Sequence, residues 1–209
     1  MNQNNVFEKY AKQYDEWFER NRFAYESELR AVRMLLPESG NGIEIGVGSG
    51  RFAAPLGIKL GVEPSAAMRA LARQRGVEVV DGVAESLPFA SAQFDFAIMV
   101  TTICFVDNAE VAIKEAYRVL KSGGYLIIGL IDKESPLGKL YQMNKDKSVF
   151  YKHAKFYSVG ELVTLLEQAG FKDFRLTQTI FHHPAEIKEI EPVKEGHGEG
   201  LFVVVRAVK

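Results

Sequence analysis

From Gly42 onward, short apolar runs rich in Ile and Val alternate with longer stretches of helical spacing. This alternation constrains the fold most, because it is the pattern of β-α-β units laid into a parallel sheet. Strands are expected near Gly42–Gly46, Ile58–Glu63, Val77–Val80, Phe94–Val100 and Tyr125–Ile131. Several of these are too uniformly apolar to keep one face in water, so they belong in mid-sheet. Between them, Pro64–Arg75 and Asn108–Leu120 have helical spacing. The second closes on Lys121-Ser122-Gly123-Gly124, a basic last turn followed by glycine. The class is α/β.

The flanks are also patterned. Val6–Phe18 and Ala24–Leu36 read as two amphipathic helices closed by Pro37 and Gly40, able to cover part of the sheet as a helical cap over residues 1–40. Residues 132–157 mix lysines with tyrosines and phenylalanines without a clear period and are expected to be an insertion of the kind that forms a lid. Ser158 opens a helix through Ala169, with Glu161 completing a capping box and Gly170 stopping it. Strands at Asp173–Ile180 and Leu201–Val208 follow. They are joined by the long charged linker Phe181–Glu199 rather than by a helix, so this last pair should be antiparallel. No repeat or boundary divides the chain, and residues 1–209 read as one unit.

Composition removes several classes. The 26 Lys and Arg against 27 Asp and Glu leave a net charge of −1, which gives a polyanion such as nucleic acid no general field to follow. No apolar run approaches the ~20 residues of a membrane-spanning helix. The lone Cys104 cannot form an internal disulfide, and the opening MNQNNVFEKYAKQ lacks a secretion-signal profile, so a cytoplasmic location is expected. Oligomeric state is not readable from the chain.

The first strand runs into Gly46-Val47-Gly48-Ser49-Gly50, whose glycines allow positive φ and close approach of a ligand to the backbone. The dinucleotide pattern G-x-G-x-x-G would put its third glycine at Arg51, whereas this loop has it at Gly50, so a pyrophosphate fits less well. The second strand ends in Val62-Glu63-Pro64-Ser65, which places a carboxylate where nucleosides bind in open parallel sheets. An acceptor-only carboxylate can take both ribose hydroxyls; alternatively Glu63 is a solvated loop acid and the glycines are turn residues.

A G-x-G-x-G loop preceded by an acid, here Glu44, resembles the first motif of class I S-adenosylmethionine-dependent methyltransferases. Gly82-Val83-Ala84-Glu85-Ser86-Leu87-Pro88-Phe89 is similar to that family's G-D-A-x-x-L-P-F segment, and Glu115-Ala116-Tyr117-Arg118-Val119-Leu120-Lys121-Ser122-Gly123-Gly124 to its E-x-x-R-V-L-K-P-G-G segment. The likeness extends to Phe7–Asp15 near the start and to Ser158–Phe171 near the end. It implies a Rossmann-like three-layer sandwich with a seven-stranded, mostly parallel sheet and an antiparallel last strand. It also implies S-adenosylmethionine as cofactor, methyl transfer to an O, N or C atom of a small molecule, and a cofactor site drawn from Tyr14, Glu44, Gly46, Gly48, Gly50, Glu63, Pro64, Ala84, Glu85 and Thr101.

This chain departs from the family pattern at Val83, where the family's adenine-reading aspartate would stand. The backbone near Ala84 and the carboxylate of Glu85 are expected to read adenine instead. Tyr14 either closes over the cofactor or packs the leading helix on the sheet. Thr101, rather than Thr102, is the expected pocket residue, Arg51 could assist the cofactor's carboxylate, and Cys104 reads as a small buried hydrophobe.

No catalytic residue is assigned, because an activated sulfonium methyl needs chiefly an aligned nucleophile in a dry pocket. Tyr151, His153 and Tyr157 could orient an acceptor, although a surface histidine is the plainer reading. His182, His183 and His197 lack metal-site spacing, so no metal is expected. The lysines between Lys133 and Lys155 read as a solvated face. Two rivals stand beside methyl transfer. A nicotinamide-dependent oxidoreductase would bind NADH, and a non-catalytic module would bind S-adenosylmethionine without turning it over.

Overall fold

A computed structural model describes residues 3–209. Two helices lead, α1 (Gln3–Arg20) and α2 (Arg22–Leu35), followed by β1 (Gly42–Ile45), β2 (Leu60–Val62), α3 (Ala66–Gln74), β3 (Glu78–Val80) and β4 (Phe94–Val100). Then come α4 (Ala109–Val119), β5 (Leu120–Ile131), α5 (Pro136–Asn144), α6 (Val159–Gln168), β6 (Lys172–Thr179), β7 (Lys194–Glu195) and β8 (Phe202–Val208). The helix starts are set by side-chain caps: Ser65 accepts from Met68 N at 3.2 Å, Asn108 from Val111 N at 3.2 Å and Ser135 from Gly138 N at 3.0 Å. Ser158 and Glu161 form the expected capping box at α6.

The strands form one sheet in the order β3-β2-β1-β4-β5-β8-β6-β7. The first five in that order are mutually parallel, and β8 runs antiparallel between β5 and β6. Sequence order reverses between β1 and β4, which puts the topological switch point of the sheet at the carboxyl ends of those two strands.

Strand alternation builds the three layers. Ile43, Ile45, Ala97, Met99, Leu126, Ile128, Val203 and Val205 point to the face covered by α4 and α6. Phe96, Ile98, Val100, Ile127, Phe202 and Val204 point to the opposite face, which is covered by α1, α2 and α3 through Phe18, Ala24, Ala31, Val32 and Ala72. Both sheet faces are therefore dry, and the uniformly apolar strand sequences follow from that.

One expectation is corrected, and two segments take a form that the sequence did not announce. The sheet has eight strands rather than seven, because Lys194–Glu195 adds a short edge strand by pairing with Gln178 and Thr177. Two residues in a charged linker carry no alternation, so periodicity could not reveal them. The segment after β5 holds the helix α5 and two short 3-10 turns at Lys145–Lys147 and Tyr151–His153. Finally, the chain after the glycine loop does not continue as a regular helix. Residues 51–57 form successive turns, with Ala54 N bonded to Gly50 O at 3.1 Å and Leu56 N to Phe52 O at 3.2 Å. Pro55 supplies no amide and disfavours helical geometry at Ala54, and Gly57 ends the run at φ +77°.

Candidate active site

At the switch point lies a pocket with about 780 Å³ of empty space including its open mouth. The β1–β2 connection forms its floor. Gly46 N and Val47 N donate to Val62 O at 2.8 and 3.0 Å, which fastens the loop to β2. Gly46 has φ +70°, and a Cβ there would sit 2.3 Å from Thr102 Cγ2, so only glycine fits. Gly48 has φ +53° and open space where its Cβ would be.

Glu63 is the central acid. Its Oε2 accepts from Gly48 N at 3.0 Å and its Oε1 from Ser65 N at 2.9 Å, which fixes the carboxylate between the loop and the start of α3. Each oxygen keeps a free acceptor direction. Burial pushes its pKa up, opposed by the amides of Ser65 and Gly48. Beneath the loop, Glu44 is 2% exposed and its Oε2 has no hydrogen-bond partner. Burial, with the nearby charge of Glu63, raises its pKa well above the ordinary carboxylate value, against the amide of Ala53.

The opposite wall comes from the loops after β3 and β4. Glu85 Oε1 accepts from Asp107 N at 2.7 Å and Asn108 N at 3.1 Å, so one oxygen braces the start of α4. Among the described residues, the Ala84 N–H donates to no backbone carbonyl. Val83 is 38% exposed and lines the pocket. Thr101 closes β4 at φ +50°, a strained conformation for a β-branched residue that is characteristic of ligand sites.

The structure thus brings Tyr14, Gly46, Gly48, Glu63, Pro64, Ala84, Glu85 and Thr101 to one pocket wall. Gly50 and Glu44 stand behind it. Gly50 faces α3, where its Cβ would meet Ala72 Cα at 3.1 Å. Thr102, set second to Thr101 by the sequence, also lines the pocket and donates to Gly46 O at 3.2 Å. Phe7, Met68, Phe105 and Asp107 complete the lining with no single motif to announce them. The aromatic spacing of Phe7 and Tyr14 on one helix was the available signal.

Arg51 does not line the pocket. Its guanidinium donates to Asp15 at 2.8 and 2.9 Å and to Glu19 at 2.5 Å, while Asp15 also accepts from Ser49 Oγ at 2.6 Å and Arg75 at 2.7 Å. This network clamps α1 over the glycine loop. Burial alone would raise the Asp15 pKa, but hydrogen bonds from Arg51, Ser49 and Arg75 bring it down to about 2. Arg118 likewise braces structure, donating to Glu115, to Phe89 O at 2.8 Å and to Leu87 O at 3.0 Å.

Tyr14 is half-buried and lines the pocket together with Thr101. It belongs to an aromatic wall that leaves the pocket sideways. Phe7 meets Tyr14 at 5.4 Å and Phe105 at 4.9 Å, Phe150 meets Tyr14 at 5.3 Å, Phe105 stacks on Tyr151 at 5.7 Å, and Tyr151 meets Tyr141 at 5.9 Å. These rings come from α1, the loop after β4 and the segment after β5. That segment turns its aromatics inward and leaves Lys139, Lys147, Lys152 and Lys155 exposed, as a solvated face should be. His153 is exposed, and Tyr157 packs into the core beneath α4 and α6. Among the described residues there is no metal-binding group of His, Cys, Asp or Glu, and no helix is long and apolar enough to cross a membrane.

Residues 43–128 match the model of the methyltransferase domain family. A crystal structure from Thermotoga maritima, described as a SAM-dependent methyltransferase and possible histamine N-methyltransferase, is 60% identical, covers 98% of this chain and 99% of its own, and superposes with a TM-score of 0.96. An uncharacterized protein of Methanocaldococcus jannaschii is 48% identical over 98% of this chain and 99% of its own length. A ubiquinone/menaquinone biosynthesis C-methyltransferase of Rhizobium meliloti is also 48% identical, but over only 27% of this chain and 24% of its own. The chain belongs to the S-adenosylmethionine-dependent methyltransferases, and S-adenosylmethionine is its cofactor.

Proposed function

We propose that this enzyme moves the methyl group of S-adenosylmethionine to a nucleophilic O, N or C atom of a small molecule, with the cofactor held by the pocket described above. The observation that carries the reading is the Glu63 carboxylate, fixed by two amides with an acceptor direction left on each oxygen. Two vicinal ribose hydroxyls match it. Ala84 N–H and Glu85 face the place of the adenine, with Met68 and Val83 as apolar flanks. The open backbone at Gly48 admits the amino-acid tail.

When bound, the cofactor supplies a methyl on a positively charged sulfur. The acceptor's lone pair would take that methyl while sulfur keeps the electrons of the broken carbon–sulfur bond, and any proton the acceptor sheds would pass to solvent. The protein's part is to align the acceptor at the carboxyl end of β4, beside Thr101, and to exclude water with the aromatic wall. The helical cap and the 132–157 segment contribute Phe7, Tyr14, Phe150 and Tyr151 to that wall. This suits a lid within a single unit spanning 1–209.

Calorimetric titration of S-adenosylmethionine, S-adenosylhomocysteine and NADH into wild type and Glu63→Ala tests the proposal. Wild type should bind the first two and not NADH. Glu63→Ala should bind them about 100-fold more weakly, the loss of two charge-assisted hydrogen bonds. NADH binding would revive the oxidoreductase alternative, and tight binding with no turnover across acceptors the non-catalytic one.

A further inference from the structure

The side chains lining the pocket are of two kinds. Its acids are Glu63, Glu85 and Asp107, and among the described residues no Lys, Arg or His lines it. Glu63 is tied to the glycine loop, and Glu85 accepts from the Asp107 amide, which keeps those two on the wall assigned above to adenine. Around the carboxyl end of β4 the lining changes to Phe7, Tyr14, Thr101, Thr102 and Phe105, all uncharged. Phe105 is fixed there from several sides. Its amide donates to Thr102 O at 2.8 Å, and Lys155 N donates to Cys104 O at 2.9 Å, which ties this loop to the segment after β5. Tyr151 stacks on the ring at 5.7 Å with 17° between the planes, and Phe7 meets it at 4.9 Å and 80°. Cys104, Ala154 and Phe156 form the small apolar cluster against which it packs. The ring is partly buried yet lines the pocket, so it offers an aromatic surface of fixed orientation to whatever occupies that end.

We infer that Phe105 is the specificity-determining platform of the acceptor site, and that the acceptor is a planar aromatic compound without formal charge. The inference rests on the methyl-transfer reading and adds the substrate class to it. A flat ring gains offset or edge contacts with Phe105 and Phe7 beyond the area it buries, which a saturated ring of the same size does not. An anionic acceptor would find no cationic side chain in the lining to pair with it. An ammonium would give up its water at an end lined by uncharged side chains, and would face the donor's own positive sulfur. Phe105 binds and orients the acceptor in this account; the nucleophile still meets the methyl beside Thr101.

The test is calorimetric titration of protein saturated with S-adenosylhomocysteine, using 2-naphthol, its saturated counterpart decahydro-2-naphthol, 2-naphthoate and 2-naphthylmethylamine as probes. Wild type should bind 2-naphthol at least about threefold more tightly than each of the other three. Phe105→Leu, with binding of S-adenosylhomocysteine reporting a folded protein, should lower the preference for 2-naphthol over decahydro-2-naphthol by at least about twofold, and Phe105→Tyr should keep it. A saturated, anionic or cationic probe bound by wild type as tightly as 2-naphthol overturns the inference with no variant needed. So does a loaded wild type that binds none of the four, or a preference unmoved by Phe105→Leu. Failure of wild type to bind S-adenosylhomocysteine is a separate result, and it removes the methyl-transfer reading itself.

Discussion

Two acids on the leading helices, Asp15 on α1 and Glu28 on α2, are treated oppositely by the structure. Asp15 is saturated by Arg51, Ser49 and Arg75, which hold its pKa near 2. Glu28 has no hydrogen-bond or ion-pair partner among the described residues, and burial raises its pKa to about 8. Around Asp15, ion pairs and backbone hydrogen bonds fix the glycine loop in one geometry before any ligand arrives. Around Glu28, no ion pair or hydrogen bond fixes the side chain among the described residues. The glycine loop is thus held in place from α1 before a ligand arrives, while the acid on α2 holds nothing.

The contrast can be broken most severely at the glycine loop. Gly46→Ala forces a Cβ to 2.3 Å from Thr102 Cγ2 at φ +70°, so stability should fall by about 3 kcal/mol and cofactor binding should be lost. Chemical denaturation with calorimetry checks both, and a variant that still bound the cofactor normally would show that the loop is less rigid than the geometry implies.

Asp15→Asn should cost roughly 2 kcal/mol at pH 7. Because the folded-state pKa of Asp15 lies below its unfolded value, that contribution is present above about pH 4 and disappears as pH falls toward 2. Wild type and variant melting curves should therefore converge in acid. Parallel curves down to pH 2 would mean that the clamp contributes nothing.

Glu28 has the reverse sign. Its folded-state pKa is raised to about 8, so wild type loses stability as pH rises above the unfolded value near 4.5, and the loss levels off once pH passes 8. Glu28→Gln, which cannot ionise, should match wild type at pH 4 and exceed it by roughly 1 kcal/mol at pH 9, a modest figure because the site is only half-buried. A melting difference that ignores pH would show that Glu28 is satisfied by something else. Smallest of all, Cys104 is buried, with its thiol pushed up to about 12 by desolvation. Cys104→Ala should leave turnover within about twofold, and iodoacetamide should label the folded enzyme slowly, as expected of a protonated thiol.

Most of the fold was legible because its elements are local. The strand runs Phe94–Val100 and Leu201–Val208 and the caps at Asn108 and Ser158 follow from period and residue type, and the structure places them within a residue or two. The glycine loop and Glu63 were legible for the same reason, since their motif spans only a strand, a turn and a strand. Elements without a local signature were missed: β7 exists only because β6 presents an edge, and α5 depends on Ser135 and on Gly138 packing against Asp132. Arg51 could not be placed from sequence, because its partners lie 32 and 36 residues away on α1.

By itself, the sequence determined the parallel core strands, the antiparallel final pair and the cofactor loop, all of which are written in hydrophobic period, glycine placement and short spacing. Only the tertiary structure built the aromatic wall. Tyr14, Phe105, Tyr141 and Tyr151 come from separate segments with no shared motif, and they meet only because the fold turns them toward one another. Which rings face one another is a property of a folded neighbourhood, which no stretch of chain carries on its own.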